Sequence, residues 1–271
     1  MIASVAQALD HARALGIERL DAQLILARQL GQSRAWLVAH DDEPLAPGSA
    51  LAVEAAYARR KAGEPLAYLL GAQEFHGLSL QIDARVLVPR PDTETIVDWA
   101  LELLAGRDGA RVVDLGTGSG AIALAVKHRC PAAHVYATDL SRDALDVARA
   151  NASRLGLSVT FVGGSWWSAL GGQHFDLVLS NPPYIAEGDP HLPALRHEPA
   201  SALTSGRDGL DALRAIVDGA PAHMNDGAWL LLEHGYNQAD AVQAMLREAG
   251  FNGVAMRRDG GGRARVTGAH R

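Results

Sequence analysis

Arg111-Val112-Val113-Asp114-Leu115-Gly116-Thr117-Gly118-Ser119-Gly120 decides how the rest of the chain is read. Its first five residues are a short apolar run with the pattern of a buried strand, and the glycines lead into the helical run Ala121-Ile122-Ala123-Leu124-Ala125-Val126-Lys127. Strand, glycine loop and helix in that order make a ligand-binding turn. Glycine lets the backbone bend sharply and approach a ligand closely, and the free N–H groups of a helix start attract an anionic group, carboxylate as well as phosphate. His134-Val135-Tyr136-Ala137-Thr138-Asp139 then reads as a second strand ending in an acid, at about the 20-residue offset where a carboxylate meets ribose hydroxyls. Nucleoside binding is the leading reading. Gly116, Gly118 and Ala121 also fit the dinucleotide fingerprint with its permitted final alanine, so a nicotinamide enzyme stays open at this point.

A later motif bears on the chemistry. Asn181-Pro182-Pro183-Tyr184 follows the strand-like run Phe175-Asp176-Leu177-Val178-Leu179-Ser180. It suggests a methyl acceptor whose nucleophile is a planar, conjugated nitrogen. The lone pair of such a nitrogen is delocalised, so a catalyst gains by holding its N–H groups with carbonyl acceptors while donor and nitrogen are aligned. Asn181 Oδ1 and the Pro182 carbonyl are candidate acceptors; successive prolines stiffen the loop, and Tyr184 offers a flat face to a planar group. The simpler reading is a strand-terminating turn with a surface aromatic. Asp114 two residues before Gly116, taken with the Asn-Pro-Pro-Tyr loop at the end of a later strand, resembles class I methyltransferases that use S-adenosylmethionine.

Flanking segments narrow the resemblance. Glu64-Pro65-Leu66-Ala67-Tyr68-Leu69-Leu70-Gly71, Val86-Leu87-Val88-Pro89-Arg90-Pro91-Asp92-Thr93-Glu94, the run Asp114 to Gly120, Ser180 to Ile185, His197-Glu198-Pro199 and Leu231-Leu232-Glu233-His234-Gly235 occur in that order along nearly the whole chain. In this the chain resembles the release factor glutamine methyltransferase family. The resemblance implies methylation of the side-chain amide nitrogen of the glutamine in the Gly-Gly-Gln motif of class I peptide chain release factors. It implies S-adenosyl-L-methionine as methyl donor and S-adenosyl-L-homocysteine as product; no metal is expected, because His76, His197 and His234 show no spacing that demands one. Carried over by residue, the donor lies against Gly116, Thr117, Gly118, Ser119 and Gly120, its ribose hydroxyls on Asp139 and its adenine beside Trp166, with Asn181 also touching it. Asn181 and Pro182 grip the substrate amide, and Pro183 and Tyr184 complete the substrate loop. Many relatives carry aspartate where this chain has Ser165, so no carboxylate contact to the adenine amino group is expected. Either tryptophan of Trp166-Trp167 alternatively serves as ordinary packing. Glu94 and Glu198 are conceivable proton acceptors, with exposed or helix-capping roles favoured, and no catalytic base is assigned.

With 271 residues, 48% hydrophobic, the chain can bury a substantial core in two domains. The family implies a doubly wound, seven-stranded Rossmann-like α/β sheet whose last strand is antiparallel, with a small helical bundle ahead of it. Residues 1–74 read as that bundle, punctuated by Gly31, Pro44, Pro47, Gly48 and Gly63. Val5, Leu9, Ala12 and Leu15 share one helical face, and Leu20, Leu24, Ile25 and Leu30 continue the apolar spacing. The resemblance implies that this bundle recognises the protein substrate. Residues 75–92 read as an extended connector and 93–271 as the catalytic domain, with Arg263 to Thr267 the candidate edge strand. Net charge −6 argues against a protein that grips a nucleic-acid backbone. No apolar stretch is long enough for a membrane, and no basic start or cleavage site marks a leader. The single Cys130, expected as a small core residue, suits a reducing cytoplasm.

Other features have plain readings. Arg59-Arg60-Lys61 reads as a solvated helix face, Gly171-Gly172-Gln173 as a turn, and His76, His197 and His234 lack metal-ligand spacing. Alternatives to the release factor reaction are a sibling glutamine methyltransferase acting on a ribosomal protein, an N6-adenine nucleic-acid methyltransferase sharing the Asn-Pro-Pro-Tyr motif, and a non-catalytic cofactor-binding module.

Overall fold

Residues 2–271 are described by the computed structural model. The chain divides into two units, Met1–Ala72 and Gln73–Arg271. The described part of the first unit holds helices α1 (Val5–Ala14), α2 (Arg19–Leu30), α3 (Arg34–Ala39), α4 (Pro47–Lys61) and α5 (Leu66–Leu70). Their ends follow local chemistry. Ser4 and Ser33 accept from the backbone N–H groups of Gln7 and Trp36 to cap α1 and α3, and Gly31 closes α2 in the left-handed conformation. Pro47 opens α4 where no N–H is needed, and Gly48 lies inside that first turn instead of marking a break.

Ala22, Ile25 and Leu26 form the buried stripe of α2, while Leu20, expected on that stripe, is 48% exposed. At about 100° per residue, Leu20 falls opposite the mean direction of those three. Val53 and Tyr57 of α4 complete the core, and Tyr57 donates its hydroxyl to the Ala22 carbonyl at 3.1 Å. Arg59 pairs with Glu64 and Arg60 with Asp21, so two cations of the basic run are engaged within this unit.

Around the boundary, a small sheet is formed by β1 (Ala72–Phe75) and β2 (Leu78–Gln81), all but its first residue in the second unit. Alternating Leu78 and Leu80 are buried. Then follow α6 (Glu94–Leu104), β3 (Arg111–Leu115), α7 (Ala121–Arg129), β4 (His134–Asp139), α8 (Arg142–Leu155), β5 (Thr160–Gly163), β6 (Phe175–Ser180), α9 (Asp211–Gly219), β7 (Met224–Glu233), α10 (Ala239–Glu248), β8 (Asn252–Arg258) and β9 (Ala264–His270). The seven-stranded sheet has order β5-β4-β3-β6-β7-β9-β8. Strands β3 to β7 pair in parallel, and β9 runs antiparallel to both its neighbours. This is a doubly wound α/β sheet.

One expectation is corrected. The segment Arg263 to Thr267, expected at the sheet edge, falls largely in β9, which lies between β7 and β8; the edge is β8. Burial explains the order: β9 is buried from Arg265 to Ala269, whereas no described residue of β8 is fully buried. Cys130 is also not a core residue, since it caps α7 half-buried, and burial raises its thiol pKa.

From β3 the chain builds outward through β4 and β5 on one side and then crosses back to β6 on the other, so a crevice opens at the carboxyl ends of β3 and β6. Asn151 of α8 fixes the small sheet beside it. Its side chain accepts from the Gln81 N–H at 2.7 Å and donates to the carbonyls of Gln81 and of Ser119 in the glycine loop.

Candidate active site

A cavity of about 280 Å³ occupies that crevice, with Gly116, Gly118, Asp139, Trp166, Asn181 and Pro183 in its wall. Three successive strand ends supply the polar groups, because a parallel sheet delivers the carboxyl ends of β3, β4 and β6 to one edge. Gly116, Gly118 and Gly120 all have positive φ. At Gly116 the reason extends beyond the turn: a Cβ there would stand 3.2 Å from Trp166 Cζ3, so this glycine lets the indole close over the loop. Gly120 packs behind the wall, and Thr117 and Ser119 are buried.

The loop's N–H groups are largely consumed. Those of Gly116 and Thr117 bond the Thr138 carbonyl, that of Gly118 bonds Asp139 Oδ2 at 2.9 Å, and that of Ala123 in the first turn of α7 bonds Asp114 Oδ2 at 3.2 Å. An acid from within the chain therefore takes up part of the helix start expected to attract a ligand anion. The wall is acidic. Asp139 accepts one backbone N–H on each oxygen, from Gly118 and Ser141, and burial raises its pKa. Asp114 is 1% exposed; burial raises its carboxyl to about 7, opposed by bonds from Thr117 and Ala123 and reinforced by the Asp139 charge. Its Oδ1 is buried without a partner among the described residues.

The two tryptophans divide. Trp167 is buried, donates Nε1–H to the Ile216 carbonyl at 3.0 Å and stacks on His223, an ordinary packing role. Trp166 stands in the cavity wall with φ +45°, a left-handed conformation unusual for an aromatic residue. Ser165 lines the cavity beside it, so no carboxylate stands at that position.

Asn181 turns its amide nitrogen away from solvent, donating to Thr93 Oγ1 at 3.2 Å. Pro182 is buried behind the wall. Tyr184 anchors the loop: its ring packs into the core beside β7, its carbonyl accepts from Gln238, and its hydroxyl donates to Glu233 Oε1 at 3.4 Å. Gly209 leaves room for this turn, because a Cβ there would meet the Tyr184 carbonyl oxygen at 2.3 Å.

Neither carboxylate considered as a proton acceptor is exposed. Glu198 is 7% exposed and accepts from the Val88 N–H and the Arg90 guanidinium, clamping the Pro-Arg-Pro-Asp segment to the His-Glu-Pro segment at the cavity rim. Glu94 accepts from the His76 N–H at 2.8 Å. The sequence reading missed Thr93, Glu233 and Arg265 behind the Asn-Pro-Pro-Tyr loop. Their signal was the acid ending the otherwise apolar run Trp229 to Leu232. His234 is fully buried, with one ring nitrogen on Thr267 Oγ1 and the other on the Gly235 carbonyl. Among the described residues no cluster of histidine, cysteine and carboxylate side chains has the makings of a metal site, and no helix is long and apolar enough to cross a membrane.

Two family models match: the PrmC N-terminal domain over residues 1–71 and the methyltransferase small domain over residues 96–206. The release factor glutamine methyltransferase of Bordetella pertussis is 50% identical over 94% of this chain and 96% of its own length. The chain belongs to the release factor glutamine methyltransferase family. The protein of the same description from Vibrio cholerae is 44% identical over 92% of the chain and 88% of its own length. Among solved structures, a methyltransferase from Pyrococcus furiosus superposes with TM-score 0.54 at 21% identity, covering 80% of this chain and 96% of that one. The fold is the Rossmann-like methyltransferase fold.

The wall suits the methyl donor such families use. S-adenosylmethionine carries positive charge on its sulfonium and amino groups, and Asp139 in the wall, with the Asp114 carboxyl buried behind it, offers that charge a favourable setting.

Proposed function

We propose that the chain methylates the side-chain amide nitrogen of the glutamine in the Gly-Gly-Gln motif of class I peptide chain release factors, taking the methyl group from S-adenosylmethionine. One observation carries the site assignment. With Nδ2 of Asn181 committed to Thr93, its Oδ1 is the end of the amide left for the cavity, an acceptor where a substrate N–H has to be held. When bound, S-adenosylmethionine supplies a methyl group already strongly electrophilic, so this chain's residues have to align, orient and desolvate.

Gly116 and Gly118 give the donor a backbone surface, Asp139 holds its ribose hydroxyls, and Trp166 covers its adenine. Thr117, Ser119 and Gly120 shape that surface from behind. Asn181 Oδ1 and the Pro182 carbonyl accept the two amide N–H groups of the substrate and hold its nitrogen in line, at near-attack geometry. Pro183 borders the same cavity, and Tyr184 pins the loop to β7. The helical unit of residues 1–72 recognises the release factor, and the reaction needs neither a metal nor a nucleic acid. A soluble translation factor as substrate places the work in the cytoplasm.

The test is methyl transfer from labelled S-adenosylmethionine to a purified class I release factor, its Gln→Ala variant in Gly-Gly-Gln, a ribosomal protein fraction and duplex DNA. Label on the intact release factor alone is the expected result. Label on ribosomal protein or DNA instead would overturn the substrate assignment. Asn181→Ala lowers turnover roughly 100-fold, the scale of a lost oriented hydrogen-bonding group, while donor affinity measured by calorimetry stays largely intact.

A further inference from the structure

The cavity wall has two origins. Strand ends build one part of it: Gly116 and Gly118 after β3, Asp139 at the end of β4, and Asn181 after β6. Pairing within the sheet fixes those groups. Val86, Leu87, Pro199, Ser201 and Ala202 build another part, and none of them lies on a strand of the sheet. They belong to two segments, residues 86–90 and 197–202, whose backbone bonds run to near neighbours. The Val86 N–H bonds the Asp83 carbonyl at 3.2 Å, and the Ala202 N–H bonds the Pro199 carbonyl at 2.9 Å.

Glu198 crosses from one segment to the other. Its side chain is 2% exposed, and both oxygens reach the partner segment 110 positions away. Oε2 accepts from the Val88 N–H at 3.0 Å, and Oε1 accepts from the Arg90 guanidinium. Val86 and Val88 are buried, whereas the Arg90 side chain is 43% exposed.

We propose that Glu198 is a positioning residue for the methyl donor: it holds these two segments together as a closed wall and so sets how long the donor stays. The inference rests on the reading of this cavity as the donor site. Two bonds from one carboxylate fix the rotation of one segment against the other as well as their separation; a single bond would leave a hinge. Apolar packing would join two loops without the cost of burying a carboxylate, so the clamp serves register more than stability. Released, the wall keeps its strand-end part, and the donor binds tightly only in the fraction of molecules that are closed. Donor bound in the cavity must in turn favour the closed clamp, since coupling between two equilibria is reciprocal. The groups assigned to the transfer stand at strand ends that the clamp does not touch, so saturating donor restores turnover.

The test compares Glu198→Ala, Glu198→Gln and Asp139→Ala with the unmodified full-length protein. It reads S-adenosylmethionine affinity by calorimetry, donor dissociation by stopped-flow displacement, donor KM and kcat with a class I release factor, and thermal melting. Removing the glutamate strands no buried charge, because Arg90 reaches solvent. Glu198→Ala is expected to raise the donor Kd roughly 10-fold, a closed fraction of about one in ten, chiefly through faster dissociation. Donor KM rises with it while kcat at saturating donor is kept. Glu198→Gln, whose amide oxygen still accepts from the Val88 N–H, loses less. In the unmodified protein, donor slows hydrogen exchange at the Val88 N–H. Unchanged donor affinity in both Glu198 variants, with Asp139→Ala weakened, would overturn the clamp and leave the cavity assignment standing. Unchanged affinity in Asp139→Ala would overturn the donor reading on which the clamp rests. A loss of kcat at saturating donor that tracks a lowered melting temperature would show a general structural role and refute the proposal. If Glu198→Ala does not fold, full donor affinity in Glu198→Gln, or no protection of the Val88 N–H by donor in the unmodified protein, refutes it.

Discussion

Replacing Asp114 by asparagine is expected to stabilise the free protein at alkaline pH while weakening donor binding. Asp114 is 1% exposed, and its carboxyl is raised from 3.8 to about 7, first by burial. A carboxyl raised on folding holds its proton in the native state after the unfolded chain has lost it. Stability therefore falls as pH rises from about 4 to about 7, and is level above that. Three units at 1.36 kcal/mol each put the full cost on the order of 4 kcal/mol, an upper figure for so buried a group. Asparagine keeps an oxygen for the Thr117 hydroxyl and the Ala123 N–H, and puts an amide nitrogen where Oδ1 lacks a partner. Leaving that nitrogen unpaired costs about 1–3 kcal/mol at any pH. The penalty cancels when the variant's stability difference at pH 5 is subtracted from that at pH 8. What remains is the part of the titration between those values, roughly 2–3 kcal/mol in favour of the variant at the higher pH. Urea melts at the two pH values measure it. A stability difference that does not change with pH would refute the assignment of a raised carboxyl to Asp114.

Asp139→Ala removes the acceptor of the Gly118 and Ser141 N–H groups and, with it, the proposed ribose contact; at about 1.5–3 kcal/mol per charged hydrogen bond, donor affinity is expected to fall 10- to 100-fold or more, and calorimetry showing no loss would sink the ribose assignment. Gly116→Ala places a methyl group 3.2 Å from Trp166 at φ +74°. The left-handed conformation alone costs about 1–2 kcal/mol, so a lower urea midpoint with altered tryptophan fluorescence is expected, and an unshifted melt would show that the indole does not rest on this glycine. Asn151→Ala strips three hydrogen bonds that tie β2 and the Ser119 carbonyl to α8. With buried backbone groups left unpaired, roughly 2–4 kcal/mol is lost; hydrogen exchange should find the added opening at the Gln81 N–H, and exchange that quickens only elsewhere would count against the staple.

Which parts of this molecule were legible depended on how local their signals are. Strand β3, the glycine loop and α7 announce themselves because an apolar run, φ-permissive residues and a helix former follow one another within 17 residues, Arg111 to Lys127. Strands β4 and β6 were read to the residue for the same reason. The order of β8 and β9 was not, since Arg263 to Thr267 looks no more buried in sequence than Asn252 to Arg258, and only pairing with β7 decides which lies inside. Leu20 misled because α2 buries Asp21 and Gln23 along with its apolar stripe, which blurs the helical pattern. At the site, residues pointing into the cavity came from motifs, whereas Thr93, Glu198 and Glu233 act from behind it. A carboxylate that accepts from a backbone N–H 110 positions away, as Glu198 does from Val88, leaves no trace in its own neighbourhood of sequence.

The sheet separates the two halves of the reaction. In the proposed reaction the donor lies at the ends of β3 and β4, where the Gly118 N–H bonds Asp139 and the Ala123 N–H bonds Asp114. The proposed acceptor site lies at the end of β6, where Thr93 holds Asn181 and Glu233 of β7 holds Tyr184. The halves meet across the β3–β6 pairing, where the Ser180 hydroxyl, buried one residue before Asn181, donates to the Leu115 carbonyl one residue before Gly116. That bond fixes the rise of one loop against the other, which is what an in-line transfer between them requires. Losses in donor affinity and losses in acceptor orientation therefore belong to separate clusters and combine nearly additively, while a change at Ser180 acts on both, because it alters the distance across which the methyl group moves.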